Sequence, residues 1–389
     1  MRLIAWALLF IAPLVCEAQQ PFAFTQVAGR YGVGLRIVLQ HDSARTFPSA
    51  AVAGQQRPIQ TLVWYPAKRG EWGGNPLIYD DYVQLIGSAE DFSRSTQERQ
   101  KLVEADVEGK TEGKLTAQIA SARAQAMWAV RDAPPAPAKF PVVIYAPSFS
   151  GDAFQNADLC EYLASHGYVV IASPALGTDR RSQSLTLPDI DTQAADVRFL
   201  INYAASLPQA DTTHLAVIGY SIGGLASVFA AARDGRITAL VQLDGSVRYF
   251  NSLVRQAGDV TPDKVAVPML YLAHRPLHDA VENQIKFKAD LSGSFLNDMK
   301  AADLYLFNIN ALDHRDFSSW FIRIREVDSF KDYSPAEVSA AYGWVARYVL
   351  EFLNGYANSD AKAKDFLSAR PEDHGVPRHL IEKVIQRRQ

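Results

Sequence analysis

The chain has 389 residues, of which 48% are hydrophobic and 21% charged, and its 39 basic and 42 acidic residues leave a formal net charge of -3. These proportions are those of globular proteins, and they exclude a disordered chain, a collagen-like fibre and a coiled coil. The slightly acidic balance also argues against a nucleic-acid partner, because affinity for phosphates needs an excess of Lys and Arg.

Residues 1–18 have the pattern of a signal peptide. Arg2 supplies the positive start, an almost entirely apolar stretch follows, and Cys16 and Ala18 place small residues at the two cleavage-site positions. The apolar stretch is too short to span a bilayer, so no integral membrane span is expected after cleavage; an uncleaved anchor or a buried helix is the alternative. Cleavage would leave Cys160 as the single cysteine and therefore no intrachain disulfide. We predict an exported bacterial protein, periplasmic or extracellular.

Short apolar runs alternate with helical patterns along the rest of the chain. Runs without polar alternation are typical of strands covered on both faces, as in a parallel sheet, and alternation of strand and helix is typical of a doubly wound α/β fold. The predicted strands are 35–39, 59–65, 141–146, 168–172, 215–218, 239–243, 269–273 and 304–307. The predicted helices of the core are 152–166, 190–206, 222–234 and 336–354.

Two stretches interrupt this alternation. Residues 67–139 are long, polar and helical in pattern, and residues 275–300 separate two strands by more than a simple crossover needs. Each would either cover a site as a lid or pack on the edge of the sheet, and both interpretations stay open. The predicted division of the chain is a signal peptide (1–18), N-terminal strands (19–66), a helical insertion (67–139), a catalytic core with a mostly parallel sheet (140–355) and a C-terminal tail (356–389).

The segment Gly219-Tyr220-Ser221-Ile222-Gly223 fits the pattern G-x-S-x-G. It directly follows a predicted strand and directly precedes a helix rich in small residues, which is the context that a nucleophile elbow requires. Such an elbow would lift the Ser221 hydroxyl above the carboxyl ends of the strands. The N–H of Ile222, at the start of the helix, could then stabilise an oxyanion. The alternative is a tight turn that carries an idle serine.

A serine hydroxyl becomes a good nucleophile only when a base takes its proton. The expected chain order of serine, acid and histidine excludes His41, His166 and His214, and His374 and His379 lie in a polar C-terminal tail. The remaining candidates are His274, His278 and His314. His314 follows a late predicted strand after a short loop, from where a doubly wound sheet can deliver a base to the nucleophile. We therefore predict His314 as the base and interpret His274, which ends a strand, as a structural histidine.

Two aspartates could orient this base and stabilise its imidazolium. Asp244 directly follows the first predicted strand after the nucleophile's own strand, and Asp279 lies in the loop after the next one. Position alone leaves both open.

The second oxyanion donor is predicted in the loop after strand 141–146. The N–H of Phe149 is the best candidate by position, and those of Ser148 and Ser150 are the alternatives.

Together these motifs resemble the α/β-hydrolase superfamily, and most closely the branch that holds platelet-activating-factor acetylhydrolases and dienelactone-hydrolase-like esterases. The resemblance spans about residues 30–66 and 140–355. It departs at Pro147-Ser148, where the family usually has His-Gly. The segments that carry it are the elbow, the strand that ends in Asp244-Gly245, residues 313–318 and residues 57–66.

The resemblance implies an α/β-hydrolase fold, Asp244 as the acid, hydrolysis of short acyl esters, and neither a metal nor an organic cofactor. The sequence itself has no H-E-x-x-H segment and no glycine pattern of a nucleotide site. We predict a secreted serine esterase that acts on a small-molecule or lipid ester, without a prediction of its oligomeric state. The alternatives are a peptidase, a polyester hydrolase or a phospholipid deacylase on the same residues, and a non-catalytic binding protein of the same fold.

Overall fold

The computed structural model describes residues 22–48, 54–70, 74–114, 117–274 and 295–387. The strands in these ranges are β1 (Gly32–Thr46), β2 (Gln56–Ala67), β3 (Pro76–Ile78), β4 (Ala126–Arg131), β5 (Phe140–Ala146), β6 (Val169–Ala172), β7 (Ala210–Tyr220), β8 (Ala239–Leu243), β9 (Met269–Ala273), β10 (Leu304–Ile309) and β11 (Ile381–Arg387). They form a single sheet in the order β11-β10-β9-β8-β7-β5-β6-β2-β1-β4-β3. Each of the eight predicted strands overlaps one of them.

The centre of the sheet is parallel, from β6 through β5, β7, β8 and β9 to β10. Every residue of β6, β8 and β9 is buried, because helices cover both faces, and this burial explains the unbroken apolar runs. The predicted doubly wound, mostly parallel α/β fold is therefore confirmed. It brings the carboxyl ends of these strands to one edge, where a cleft can form.

The helices of the described ranges pack on both faces of the sheet and at its ends. The longest begins with a capping box, in which the Ser334 hydroxyl and the Glu337 carboxylate each accept the other residue's backbone N–H. The helices are α1 (Tyr79–Val83), α2 (Thr96–Lys110), α3 (Ala117–Arg123), α4 (Ala157–Ser165), α5 (Leu187–Ala204), α6 (Ile222–Arg233), α7 (Asn251–Ala257), α8 (Phe295–Asp298), α9 (Ser319–Ile324), α10 (Pro335–Ala357) and α11 (Ala361–Ser368).

The stretch 67–139 is helical only in part. It contains α1, α2 and α3, but β4 pairs in parallel with β1 and β3 pairs with β4, so the stretch also widens the sheet at one edge. The C-terminal end of α2 instead reaches the cleft described below. The stretch therefore packs on the sheet edge and also borders the cleft, whereas its role as a lid stays a prediction.

The stretch 356–389, expected to be a tail, is part of the fold as far as it is described. It contains α11, and β11 pairs antiparallel with β10 at the other edge of the sheet. The predicted signal peptide and residues 275–294 lie outside the described residues. Within the described ranges, no helix combines the length and the apolar character needed to cross a membrane.

Glu161 in α4 is a buried carboxyl group that makes stability depend on pH. It is 1% exposed and accepts hydrogen bonds from the Tyr82 hydroxyl and the Trp128 N–H, both at 2.6 Å. Burial raises the pKa of Glu161 from 4.5 to about 7. The folded chain therefore holds this proton more tightly than the unfolded chain, so the stabilisation is complete below pH 4.5 and is lost as the pH rises through about 7.

We expect Glu161→Gln to remove this pH dependence, because glutamine imitates the protonated carboxyl at every pH. Between mildly acidic and mildly alkaline pH, the free energy of unfolding of the native chain should fall by about 3 kcal/mol more than that of the variant. Urea unfolding at several pH values measures both slopes. Glu104→Gln, at an exposed position of α2, is the matched control and should keep the native slope. Equal slopes for Glu161→Gln and the native chain would contradict the prediction.

Candidate active site

Ser221 lies in the sharp turn between the end of β7 and the start of α6. Its backbone has φ 54° and ψ -121°, a conformation that non-glycine residues rarely adopt and that is typical of a nucleophile elbow. A Cβ at Gly223 would collide with the backbone oxygens of Ala146 and Pro147. Glycine at this position therefore lets the start of α6 approach the carboxyl end of β5, and the two loops that border Ser221 come together.

The structure brings three of the predicted residues into one hydrogen-bonded chain. The Ser221 hydroxyl oxygen lies 2.8 Å from His314 Nε2, and His314 Nδ1 lies 2.5 Å from Asp244 Oδ2. Ser221 is 7% exposed and Asp244 is fully buried, whereas the His314 side chain is 38% exposed. The imidazole of His314 is thus exposed on one side and anchored to a buried carboxylate on the other.

Asp244 has no exposed surface, and several hydrogen-bond donors surround its carboxylate. Its Oδ2 also lies 2.5 Å from His274 Nδ1, and its Oδ1 lies 3.3 Å from both the Tyr249 hydroxyl and the backbone N–H of His274. Burial by itself would raise the pKa of the Asp244 carboxyl, but the neighbouring His274 and His314 hold that pKa well below its usual range. The carboxylate therefore stays ionised wherever the fold persists.

His314 begins a short 3-10 helical turn that is fixed by its own neighbours. The Tyr220 hydroxyl, next to the nucleophile in the chain, donates to the His314 carbonyl oxygen at 2.9 Å. Asp316 Oδ2 accepts from the Asp313 N–H at 3.0 Å and from Arg325 Nη1 at 2.6 Å. These contacts tie the base to the elbow and keep its imidazole in reach of Ser221.

The loop after β5 lies next to the turn that carries Ser221. The Ser148 N–H donates to Gln155 Oε1 at 3.0 Å, and the Ser150 N–H donates to Gln183 Oε1 at 2.8 Å. The two serine alternatives for the second oxyanion donor are therefore engaged elsewhere. Among the described residues, the N–H of Phe149 has no such partner.

Ile222 occupies the first position of α6. The Ile222 N–H, in the first helical turn, has no acceptor within its own helix, so it is available to a ligand. The partial positive charge of the helix start adds to its affinity for an anion.

A cleft of about 540 Å³ opens beside His314. Both charged and apolar side chains line the cleft. The end of α2 lies on one side of it, and the turn that contains His314 lies on the other. The residues that border it include His274, Arg315, Phe321, Ile324 and Lys114.

The end of α2 is attached to the core by ion pairs around the buried carboxylate of Asp152. Lys110 lies 2.7 Å from Asp106 in its own helix and 2.5 Å from Asp152 in the loop after β5. Burial lowers the pKa of Lys110, but the two carboxylates more than offset this and raise it. Arg181 also reaches Asp152, at 3.3 Å. Removing a partner from the buried Asp152 carboxylate is strongly unfavourable, so this wall of the cleft is held firmly.

Asp244, His274 and His314 are also a set of potential metal ligands, since their ligand atoms lie within 4.8 Å of one another. Two ligands of a tetrahedral zinc ion stay about 3.3 Å apart, given metal–ligand bonds near 2.0 Å. The distance from Asp244 Oδ2 to each imidazole Nδ1 is 2.5 Å, which is that of a hydrogen bond. The cluster is therefore hydrogen-bonded in this geometry.

His274 is the residue whose part in the site the sequence did not reveal. It was interpreted as a structural histidine, yet it contacts the same carboxylate as His314. The signal in the sequence was that His274 directly follows β9, the strand beside β8. Leu243 pairs with Leu272 in these parallel strands, so Asp244 and His274 leave the sheet close together. The candidates His278 and Asp279 lie outside the described residues.

Comparisons with known proteins agree with this fold. Residues 127–273 match the Dienelactone hydrolase family, a segment that contains the elbow and Asp244 but ends before His314. Among solved structures, a ferulic acid esterase from Streptomyces cinnamoneus superposes with a TM-score of 0.62 at 19% sequence identity, covering 94% of this chain and 100% of that one. A search of curated proteins finds no match.

The sheet order, the elbow and the superposition show an α/β-hydrolase fold. The match of residues 127–273 to the Dienelactone hydrolase family supports the dienelactone-hydrolase-like branch and a carboxylic ester hydrolase. This part of the predicted resemblance is confirmed. The closer likeness to platelet-activating-factor acetylhydrolases stays a prediction.

Proposed function

We propose that this ester hydrolase is an exported serine esterase whose catalytic residues are Ser221, His314 and Asp244. The observation that carries the proposal is the continuous chain from the Ser221 hydroxyl through His314, at 2.8 Å, to the buried carboxylate of Asp244, at 2.5 Å. The Asp244 carboxylate accepts a hydrogen bond from the Nδ1–H of His314. His314 Nε2 therefore carries no proton, and its lone pair faces Ser221. An imidazole in this tautomer can take the serine proton.

The reaction proceeds through an acyl-enzyme. Ser221 Oγ attacks the acyl carbonyl carbon while His314 takes its proton, and the N–H groups of Ile222 and Phe149 stabilise the resulting oxyanion. Collapse of this intermediate releases the alkoxide, which His314 protonates. Water then attacks the acyl-enzyme with His314 again as base, and the acid leaves. Asp244 orients the imidazole and stabilises its cationic form in both halves of the reaction.

Fluorophosphonate labelling of the purified protein tests the proposal without knowledge of the natural substrate. An activated serine attacks the probe, and peptide mass spectrometry should locate the label on Ser221. His314→Ala should abolish the label, whereas His379→Ala, at an exposed histidine of the C-terminal region, should leave it unchanged. An unlabelled but folded native protein would sink the proposal and favour a non-catalytic binding protein.

The acyl group is the open part of the substrate. A short acyl chain is predicted, but the structural neighbour bears the name of a ferulic acid esterase. Phe149, which is 43% exposed, and Phe321, which borders the cleft, offer aromatic surface to such an acid. Relative kcat/KM values for p-nitrophenyl acetate and methyl ferulate would decide between them. Amide, polyester and phospholipid substrates in the same panel test the remaining alternatives.

A further inference from the structure

We propose that His274 is a positioning residue for catalysis: it donates its Nδ1–H to the Asp244 oxygen that also binds His314, and so fixes the carboxylate and limits the basicity of His314. The inference rests on the proposed function, since it assigns His314 as the base. It adds a second imidazole to the catalytic arrangement, on the far side of the acid.

The contacts of Asp244 show why a second donor matters. The carboxylate is fully buried, and its contacts at Oδ1 are long, at 3.3 Å from the Tyr249 hydroxyl and from the His274 backbone N–H. The two short contacts, at 2.5 Å, both go to Oδ2. One of them comes from His314, which must exchange protons during the reaction. Among the residues that the structure describes, His274 is then the one short side-chain donor whose proton can stay in place throughout.

The geometry also determines where the protons are. Asp244 Oδ2 is an acceptor, so each imidazole presents Nδ1–H to it. The His274 side chain is 2% exposed and its ring meets that of His314 edge to face, with centroids 5.9 Å apart. Packing in this position leaves His274 little freedom to turn away from the carboxylate.

Sharing one oxygen has a consequence for the base. An oxygen that accepts two hydrogen bonds offers less negative charge to each donor, so it stabilises the His314 imidazolium less than an unshared oxygen would. Without the His274 donor, His314 should bind its proton more tightly. At the same time the carboxylate is free to rotate, and a displacement of about 1 Å in a catalytic group can reduce the rate about 100-fold.

Other titratable groups face His314 but do not depend on His274. Tyr220 lies at the elbow, and across the cleft Lys110 and Lys114 are paired with Asp152 and Glu326, respectively. On the turn of His314 itself, Asp313 and Asp316 both pair with Arg325, and Arg315 stacks on Phe321. These groups stay the same in any His274 variant, so a shift in the pH profile reports the shared carboxylate.

The test compares three variants of the full chain. In His274→Asn the amide nitrogen takes the place of Nδ1 and keeps the donor. In His274→Gln the amide lies one bond further out and the donor is misplaced, while His274→Leu has none. The assays are the rate of fluorophosphonate labelling at Ser221 and the kcat and KM for p-nitrophenyl acetate, each measured from acidic to alkaline pH.

We expect His274→Leu and His274→Gln to lose roughly 10–100-fold in kcat with little change in KM. The acid limb of their kcat/KM profile should move to higher pH. His274→Asn should stay within about fivefold of the native kcat and keep the native limb, because the donor is retained. If His274→Leu fails to fold, the comparison of Asn with Gln decides.

Two results would overturn the inference. One is a native kcat and a native pH profile in His274→Gln or His274→Leu. The other is an equal loss in the Asn and Gln variants, which would assign the effect to the bulk of the ring rather than to its donor. Failure of the proposed function looks different, because the native protein itself would then take up no label at Ser221.

Discussion

Replacing Ser221 with alanine should reduce ester hydrolysis roughly 10³–10⁶-fold and leave folding intact. The variant lacks the only atom that forms the acyl-enzyme, while the oxyanion donors and the cleft remain and still provide some rate enhancement. Since the Ser221 hydroxyl has its hydrogen bond to the partly exposed His314, its removal leaves no buried polar group unsatisfied. Initial rates with p-nitrophenyl acetate and a thermal unfolding curve measure the two parts of this prediction.

Ser206→Ala is the matched control for this experiment. Ser206 is exposed at the end of α5, where its hydroxyl donates to the Tyr203 carbonyl, and it lies outside the site. The control should keep the native rate. If Ser221→Ala retained most of the native turnover, a different residue would carry the reaction and the assignment of the nucleophile would be wrong.

Asp244→Asn should reduce kcat roughly 10³–10⁴-fold, because it reverses the hydrogen bond that sets the tautomer of His314. An asparagine amide can donate to His314 Nδ1, which moves the imidazole proton to Nε2, where it faces Ser221 and cannot accept the serine proton. The same amide nitrogen then faces the Nδ1–H of His274, which loses its acceptor. Steady-state kinetics of the purified variant, with its unfolding temperature as a check on folding, provide the measurement.

Asp279→Asn separates the two candidate acids. We expect this variant to keep the native kcat, since Asp244 already meets His314 at 2.5 Å. The opposite pattern, an active Asp244→Asn and an inactive Asp279→Asn, would make Asp279 the acid. Because the pKa of Asp244 lies well below its usual range, the acid limb of the native pH profile should report His314 alone.

Local patterns in the sequence were sufficient for the central sheet and for the elbow that carries Ser221. A run such as Tyr168-Val169-Val170-Ile171-Ala172 stays apolar because both faces of a central strand are covered, and this holds whichever strands lie beside it. The elbow is likewise local, since its glycines, its strand and its helix are contiguous in the chain. Chain order, together with the polar character of the C-terminal stretch, then reduced eight histidines to three, and the short loop after a late strand favoured His314.

The edges of the sheet could not be predicted in the same way. β3 has three residues, and β4 alternates buried with more exposed positions, so neither has the unbroken apolar run of a central strand. β11 is also amphipathic, and it forms against β10 at the end of a stretch that is otherwise polar. Pairing at an edge depends on which strand offers a free side, and this is a property of the assembled sheet.

The sequence by itself determined the fold class, the elbow that carries the proposed nucleophile and the histidine most suited to act as base, because each depends on neighbours in the chain. Only the tertiary structure decided which N–H groups of the loop after β5 are engaged, since Gln155, later in the same loop, and Gln183, from a distant segment, bind Ser148 and Ser150. It also decided that His274 shares the oxygen of Asp244. That contact depends on the register of two parallel strands, which is fixed by packing over the whole sheet and leaves no mark in either segment alone.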